Sequence, residues 1–245
     1  MNFRQFFPRK TKRIPFKELV NVDIHAHLLP NIDDGPKTME ESLQLIKGLQ
    51  TLGYKKLTAT PHVYSQFYPN SMEAIQLAFA KLQKAVAQAK ITIQLACAAE
   101  YYLEDAFEVL LNSGQVLKLD KTRVLVETSL MAQDPKLLHY LFNIQMKGLQ
   151  PVLAHPERYT YMSEKDYRQL MDAGCEFQLN LLSLEGHYGR EVAKKAKYLL
   201  KKQYINFVGS DVHHIGHLEK LTNLVRSGKA ANFLSNQILN NTLTT

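Results

Sequence analysis

Cysteine is scarce in this sequence, with two residues among 245. Cys97 and Cys175 are too few for a disulfide framework, and neither belongs to the C-x-x-C spacing of zinc and redox sites. Long apolar runs are also missing. No stretch approaches the roughly 18 to 20 residues of a membrane span, and the N-terminus lacks the continuous apolar core of a secretory signal. We therefore expect a soluble protein of a reducing, cytoplasmic compartment.

Acidic residues are absent from positions 1–17, which contain six basic side chains. The net charge of the whole chain is +7, from 30 Lys+Arg against 23 Asp+Glu, which leaves 24 basic and 23 acidic side chains from residue 18 onward. A body so close to neutral does not have the basic surface that a nucleic acid needs, so we expect no nucleic-acid partner. We divide the chain into a basic arm, residues 1–20, and a single domain, residues 21–245.

The basic arm also contains three phenylalanines, Phe3, Phe6 and Phe7, interleaved with its basic residues. Such a segment can attach to an anionic membrane surface and hold the protein at the inner membrane face. The alternative is a solvated tail, or one packed against the body.

Short β-branched runs alternate with stretches of helical spacing along the rest of the chain, which predicts parallel strands joined by right-handed crossovers. Seven such units in one domain favour an α/β fold of the (β/α) barrel kind. In the second helix we expect Leu77, Leu82 and Val86 to face inward. The predicted strands are residues 21–28, 55–62, 92–100, 123–128, 150–155, 176–181 and 205–211. The predicted helices are residues 38–52, 71–89, 135–147, 163–173, 190–202 and 217–227.

Metal-capable side chains stand at the end of every predicted strand except the sixth. In barrels of this kind the active site is built at the carboxyl ends of the strands. Nitrogen and hard-oxygen donors without thiolate suit Mn, Fe, Zn, Mg or Co. A single histidine in such a place is more often a core or capping residue, and we interpret His139 and His187 in that way. The set as a whole predicts a multinuclear metal site: His25, His27, His62, Glu100, Glu127, His155, Asp211 and His213.

Seven short motifs together resemble the polymerase and histidinol phosphatase (PHP) family, and more closely the bacterial metal-dependent protein tyrosine phosphatases of the CpsB/YwqE type. DIHAH alone is shared by many amidohydrolase-like proteins, whereas the motifs in this order are specific. They cover residues 22–213, most of the chain. The motifs are DIHAH at 23–27, IDDGPKT at 32–38, ATPH at 59–62, AEYY at 99–102, VE at 126–127, AHPERY at 154–159 and GSDVH at 209–213.

The resemblance implies a distorted (β/α)7 TIM-like barrel with three divalent ions, usually manganese. Glu100 would bridge two of the ions. By motif, the first ion would be held by His25, His27, Glu100 and Asp211, the second by Glu100, Glu127 and His155, and the third by Asp34, His62 and His213.

Hydrolysis of a phosphate monoester would then use a hydroxide bound by the metals as nucleophile. Arg158 is placed to bind the phosphate, and Asp34 or His213 to protonate the leaving group. Relatives have a further arginine after the last motif, and this chain has none before Arg226. Either His217 or His214 replaces it, or Arg158 acts alone, and His217 has the alternative role of capping the last helix.

A cysteine-based phosphatase is excluded, because the position six residues after each cysteine is leucine rather than arginine. The resemblance implies a phosphotyrosine protein as substrate, the Tyr-rich tail of a membrane tyrosine kinase of capsular or exopolysaccharide synthesis. One alternative is another PHP phosphoesterase, such as histidinol phosphate phosphatase. The other alternative is a non-catalytic regulatory module, in which the bound metals serve only to stabilise the fold.

Overall fold

The computed structural model describes residues 15–234 and 238–243. Most of the basic arm, residues 1–14, therefore lies outside the described residues. Its last part forms the short helix Phe16–Leu19, whose two end residues are buried against the body. Over the described ranges, no helix has both the length and the apolar character that crossing a bilayer requires.

Parallel strands form the centre of the domain. The order of pairing is β1, β2, β4 in one sheet and β3, β5, β6, β7, β8, β9 in the other, and every pair is parallel. The strands are Val22–Ala26 (β1), Lys56–Ala59 (β2), His62–Val63 (β3), Gln94–Cys97 (β4), Glu100–Tyr102 (β5), Arg123–Glu127 (β6), Gln150–Ala154 (β7), Glu176–Asn180 (β8) and Phe207–Gly209 (β9).

Helices pack around these strands and supply the crossovers. Thr38 and Ser71 cap the second and third helices, since each side-chain oxygen accepts a hydrogen bond from a backbone N–H of the first turn. The helices are Phe16–Leu19 (α1), Met39–Thr51 (α2), Met72–Gln88 (α3), Asp105–Ser113 (α4), Leu137–Met146 (α5), Glu164–Asp172 (α6), Arg190–Lys201 (α7), Ile215–Arg226 (α8) and Lys229–Phe233 (α9).

The two sheets are two parts of one ring of seven strands. β2 and β3 are halves of one strand, which breaks at Pro61 because proline has no N–H to donate. β4 and β5 are likewise halves of one strand. Across these breaks the backbone pairing continues, from the Ala98 N–H to the Ala59 carbonyl (2.9 Å) and from the Glu100 N–H to the Pro61 carbonyl (3.0 Å).

The ends of the ring meet beyond β9. The Asp211 N–H donates to the carbonyl of His25 at 2.8 Å, and the His27 N–H donates to the carbonyl of Val212 at 3.0 Å. These bonds bring the last strand alongside the first. The predicted α/β class and its TIM-like, seven-stranded arrangement are confirmed.

Two details differ from the sequence-based expectations. Leu77 is 60% exposed rather than inward, because the buried face of α3 is formed by Ile75, Leu82 and Val86. Residues 75 and 77 lie about 200° apart around a helix, so they cannot share a face. Helices α1, α4 and α9 were not predicted, and α4 occupies the connection between β5 and β6.

Candidate metal centre

The buried carboxylate of Glu100, at the start of β5, lies among four imidazoles. Its Oε2 atom is 3.1 Å from His25 Nε2, 3.4 Å from His27 Nε2 and 3.1 Å from His62 Nδ1. Its Oε1 atom is 2.9 Å from His155 Nε2. Glu100 therefore lies at the centre of the cluster, where a bridging carboxylate would be required.

Asp211, two residues beyond the last strand, approaches two of the same imidazoles. Its Oδ1 atom lies 3.3 Å from His25 Nε2 and 3.4 Å from His27 Nε2. Both Asp211 and His155 have left-handed backbones, with φ of 50° and 38°. Such conformations cost of the order of 1–3 kcal/mol in non-glycine residues and are concentrated at functional sites. Both left-handed positions therefore carry a ligand-capable side chain of the cluster.

The outer part of the cluster lies toward the cavity. Glu127 Oε1 is 3.0 Å from His62 Nδ1, and Asp34 Oδ1 is 3.6 Å from His62 Nε2 and 3.4 Å from His213 Nε2. Three groups have donor atoms close enough together to hold one ion each: His27, Asp34, His62 and His213; His25, His27 and Glu100; and His62, Glu100 and Glu127.

These groups overlap more than the resemblance implies. The motif-based assignment gives His27 and His62 one ion each, whereas each belongs to two of the three groups. All nine residues proposed as ligands nevertheless lie in one contiguous cluster at the carboxyl ends of the strands.

The protonation of the cluster reflects its mixed charges. Burial alone would lower the pKa of His25, but the carboxylates of Glu100 and Asp211 raise it to about 9. Burial would raise the pKa of Glu100, yet His25 and His62 hold it well below its usual range.

His62 Nδ1 is buried close to two carboxylate oxygens but has hydrogen-bond geometry with neither. An imidazole nitrogen and two carboxylates converging without a hydrogen bond fit a cation held between them. The donor set therefore suits divalent metal ions.

Residues that the sequence did not indicate hold the ligand-capable histidines in place. His27 Nδ1 donates to Asp33 Oδ2 at 2.8 Å, and His25 Nδ1 donates to Gln178 Oε1 at 2.7 Å. Both bonds leave Nε2 facing the cluster. Gly209 makes room for one of them, since a Cβ there would lie 2.7 Å from both His25 Cβ and Gln178 Nε2. The spacing of Gln178 and Asn180, two residues apart on β8, was the sequence signal that could have identified this supporting face.

Glu157 is buried behind the cavity rather than lining it. Its Oε1 accepts from the Asn180 N–H (3.0 Å) and the Ser183 hydroxyl (2.6 Å), and burial raises its pKa to about 7. This position agrees with a supporting role rather than a catalytic one.

A cavity of about 560 Å³ opens above the cluster. Arg158 is the one lysine or arginine among the described residues that line it. Its guanidinium lies 4.5 Å from the centre of the Tyr188 ring, and its Nη1 is 3.6 Å from Asp211 Oδ2. The cavity therefore combines a cation-binding floor with a planar donor suited to phosphate.

His217 lines the same cavity near the start of α8. Its Nδ1 accepts from the backbone N–H of His213 (3.3 Å), and its Nε2 lies 3.1 Å from His187 Nε2. Burial and the neighbouring His214 lower its pKa to about 4. His217 is therefore neutral near pH 7, and both of its ring nitrogens are engaged by protein partners.

Comparison with known proteins gives consistent matches. A family model described as capsular polysaccharide synthesis, CpsB/CapC, matches residues 21–232. The tyrosine-protein phosphatase CpsB of Streptococcus pneumoniae is 31% identical over 202 residues, which cover 79% of this chain and 83% of that protein. These matches confirm the resemblance drawn from the motifs.

Solved structures agree. One from the pair YwqE of Bacillus subtilis and CpsB of Streptococcus pneumoniae, unique metal-dependent tyrosine phosphatases, gives a TM-score of 0.76 at 25% identity, covering 86% of this chain and 89% of that one. The histidinol phosphate phosphatase of Lactococcus lactis shares the fold, with a TM-score of 0.50 at 12% identity over 85% of this chain and 93% of that one.

Proposed function

The chain belongs to the CpsB/CapC family of capsular polysaccharide synthesis, and we propose that it is a metal-dependent protein-tyrosine phosphatase. The observation that carries the proposal is a cluster of nine ligand-capable side chains beneath a cavity that Arg158 lines, with six of the nine reaching the cavity surface. Buried carboxylates and imidazoles in such number are costly unless they bind cations. A purely regulatory module would have no need of an arginine placed over the same cluster.

We assign three divalent ions to this cluster and propose that they are Mn²⁺, with Fe, Zn, Mg and Co as other metals that its donors suit. Bound ions supply positive charge for the phosphoryl oxygens and activate water at neutral pH. The proposed sets are His25, His27, Glu100 and Asp211 for the first ion, Glu100, Glu127 and His155 for the second, and Asp34, His62 and His213 for the third. The shared positions of His27 and His62 support ions that lie close together.

Arg158 binds the phosphoryl group of the substrate in this proposal. The Arg158 guanidinium packs on the Tyr188 ring and lies 3.6 Å from Asp211 Oδ2, which places it at the edge of the cluster. Both ring nitrogens of His217 have protein partners, so we assign Arg158 alone as the side chain that binds the phosphate. Either Asp34 or His213, whose Oδ1 and Nε2 atoms lie 3.4 Å apart, supplies the proton to the departing phenolate. A phenolate leaves readily, so this proton matters less than it would for an alkyl ester.

The physiological substrate we propose is the Tyr-rich tail of a membrane tyrosine kinase that acts in capsule or exopolysaccharide synthesis. The support for this is the capsular role named for the family. Residues 1–14 would hold the enzyme at the inner membrane face beside that kinase. Deleting residues 2–15 tests this point: liposome binding should fall while activity is kept, and unchanged binding would contradict it.

The enzymatic proposal is tested with purified protein reconstituted with Mn²⁺. It should hydrolyse p-nitrophenyl phosphate and a phosphotyrosine peptide, and a chelator should stop both reactions. Strong preference for histidinol phosphate over the peptide would instead indicate the alternative phosphoesterase. Metal binding without hydrolysis of any of these esters would indicate the regulatory module.

A further inference from the structure

A tight turn of aromatic residues follows His62 and forms one wall of the cavity. The N–H of Tyr64 donates to the carbonyl of Tyr68 at 2.9 Å, and the N–H of Tyr68 donates back at 2.8 Å. The side-chain amide of Asn70 donates to the His62 carbonyl at 2.8 Å and ties the turn to β3. These bonds therefore fix the backbone of the turn beside the candidate metal centre.

Most ring faces along the cavity are already covered. Tyr64 stacks on Tyr102, with ring centres 4.1 Å apart, and Tyr68 stacks on His62 at 5.4 Å. Across the cavity, the Tyr188 ring carries the guanidinium of Arg158. These rings contribute to the walls, but the face that each one packs against its neighbour is closed to a ligand.

Phe67 differs from the other aromatic residues of the wall. It lines the cavity and is 66% exposed, and its ring lies tilted by 56° against the Tyr64 ring at a centre distance of 5.1 Å. Leu130, 40% exposed, lines the same cavity from the loop after β6. Single exposed apolar residues are ordinary on protein surfaces, but two that line one cavity beside the candidate metal centre indicate an apolar contact with what enters it.

We propose that Phe67, with Leu130, forms a subsite for the aromatic ring of an aryl phosphate. The inference rests on the proposed phosphatase function, which places the phosphoryl group at Arg158 and the metal cluster on the cavity floor. The ring of the ester then extends from Arg158 along the cavity toward the exposed side chain of Phe67. Contact between two aromatic rings favours an aryl over an alkyl ester of the same charge.

The subsite is tested by calorimetric titration of Mn²⁺-loaded protein with phenylphosphonate and with methylphosphonate, neither of which can be hydrolysed as an ester. The wild-type protein should bind phenylphosphonate about tenfold more tightly, the size of effect that an aromatic contact gives. Phe67→Ala should remove most of this preference and leave methylphosphonate binding unchanged. Since Phe67 is exposed, the variant should fold normally. Phe142→Ala, which removes an exposed phenylalanine of α5 outside the cavity, is the matched control.

Two results would overturn the subsite: equal affinity of the wild-type protein for the two phosphonates, or a preference that survives Phe67→Ala. The proposed function has a separate test. If phenylphosphonate is preferred through Phe67 but phosphotyrosine peptide is not hydrolysed, the tyrosine phosphatase proposal fails and the aryl subsite stands. If Phe67→Ala hydrolyses the peptide with a wild-type KM, the phosphatase stands and the subsite fails.

Discussion

Gln178 accepts a hydrogen bond from His25: the imidazole Nδ1–H lies 2.7 Å from the amide Oε1. The other side of the same amide donates to Asn180 Oδ1 at 3.0 Å, and the Asn180 amide in turn donates to Asp211 Oδ2. One chain of hydrogen bonds therefore connects candidate ligands on β1 and beyond β9 through β8. This explains why the sixth predicted strand, β8, has no metal-capable residue at its end: it orients ligands that neighbouring strands provide.

Gln178→Ala should lower metal affinity about 10- to 100-fold, because His25 loses the acceptor that fixes its ring and tautomer. Gln178→Glu keeps an acceptor for Nδ1–H and should retain more of the affinity. Metal titration followed by calorimetry measures both. Gln76→Ala, on the exposed surface of α3, is the control. Wild-type affinity in Gln178→Ala would show that the bond does not position His25.

Arg158→Ala should lower kcat for p-nitrophenyl phosphate about 100- to 1000-fold, since a charged donor to the phosphoryl oxygens is lost. Arg158→Lys should restore little, because an ammonium group cannot reproduce the planar, two-point contact. Arg168→Ala, which removes an arginine exposed on α6, controls for the loss of charge. Circular dichroism should show the same fold in all three variants. A wild-type kcat in Arg158→Ala would show that Arg158 does not bind the phosphoryl group.

Metal loading should depend on pH. The pKa of His25 is raised to about 9 in the protein without metal, so below that pH its ring carries a proton that a metal ion must displace. Apparent affinity for Mn²⁺ should therefore rise as the pH increases from 6 toward 9, with release of protons to the buffer. Titrations in buffers of different ionisation enthalpy measure that release. Affinity that is independent of pH would contradict a protonated cluster.

The shared site of His25 and His27 could be predicted from the sequence because of the geometry of a β-strand. His25 and His27 are two residues apart, so their side chains leave the strand on one side, and a barrel directs the carboxyl ends of all strands to one place. Fold class and the clustering of the candidate ligands followed from these rules. The sharing of His27 and His62 between groups could not follow, since it depends on side-chain positions across different strands.

Supporting residues were missed for a different reason. Asp33 stands beside Asp34 in the same loop, and only the folded chain distinguishes the one that binds His27 from the one that faces the cavity. Gln178 and Asn180 are amides, which ordinarily occupy many positions in proteins, so their roles depend on pairing that brings β8 next to β9.

The barrel is closed at the opposite end by the C-terminal turn Asn240–Leu243, and this closure should contribute to stability. The buried Asn240 accepts from the Val208 N–H (2.9 Å) and donates to the carbonyls of Val22 (2.8 Å) and Val208 (2.7 Å). Asn240 thus joins the first and last strands, β1 and β9, at the end of the barrel opposite the cavity. Lys56 Nζ, also buried, donates to the carbonyl of Leu243 at 2.6 Å in the same turn.

Asn240→Ala should destabilise the fold by about 2 to 4 kcal/mol, because three hydrogen bonds are lost and buried backbone groups remain without partners. In a protein of this size, that corresponds to a decrease in Tm of roughly 5 to 15 °C. Asn112→Ala, at an exposed position of α4, should leave Tm nearly unchanged. Thermal unfolding at a constant Mn²⁺ concentration measures the Tm of both variants. The kcat of Asn240→Ala at 25 °C should stay at the wild-type value, since Asn240 lies at the end of the barrel away from the cavity. An unchanged Tm in Asn240→Ala would mean that the turn does not hold the two strands together.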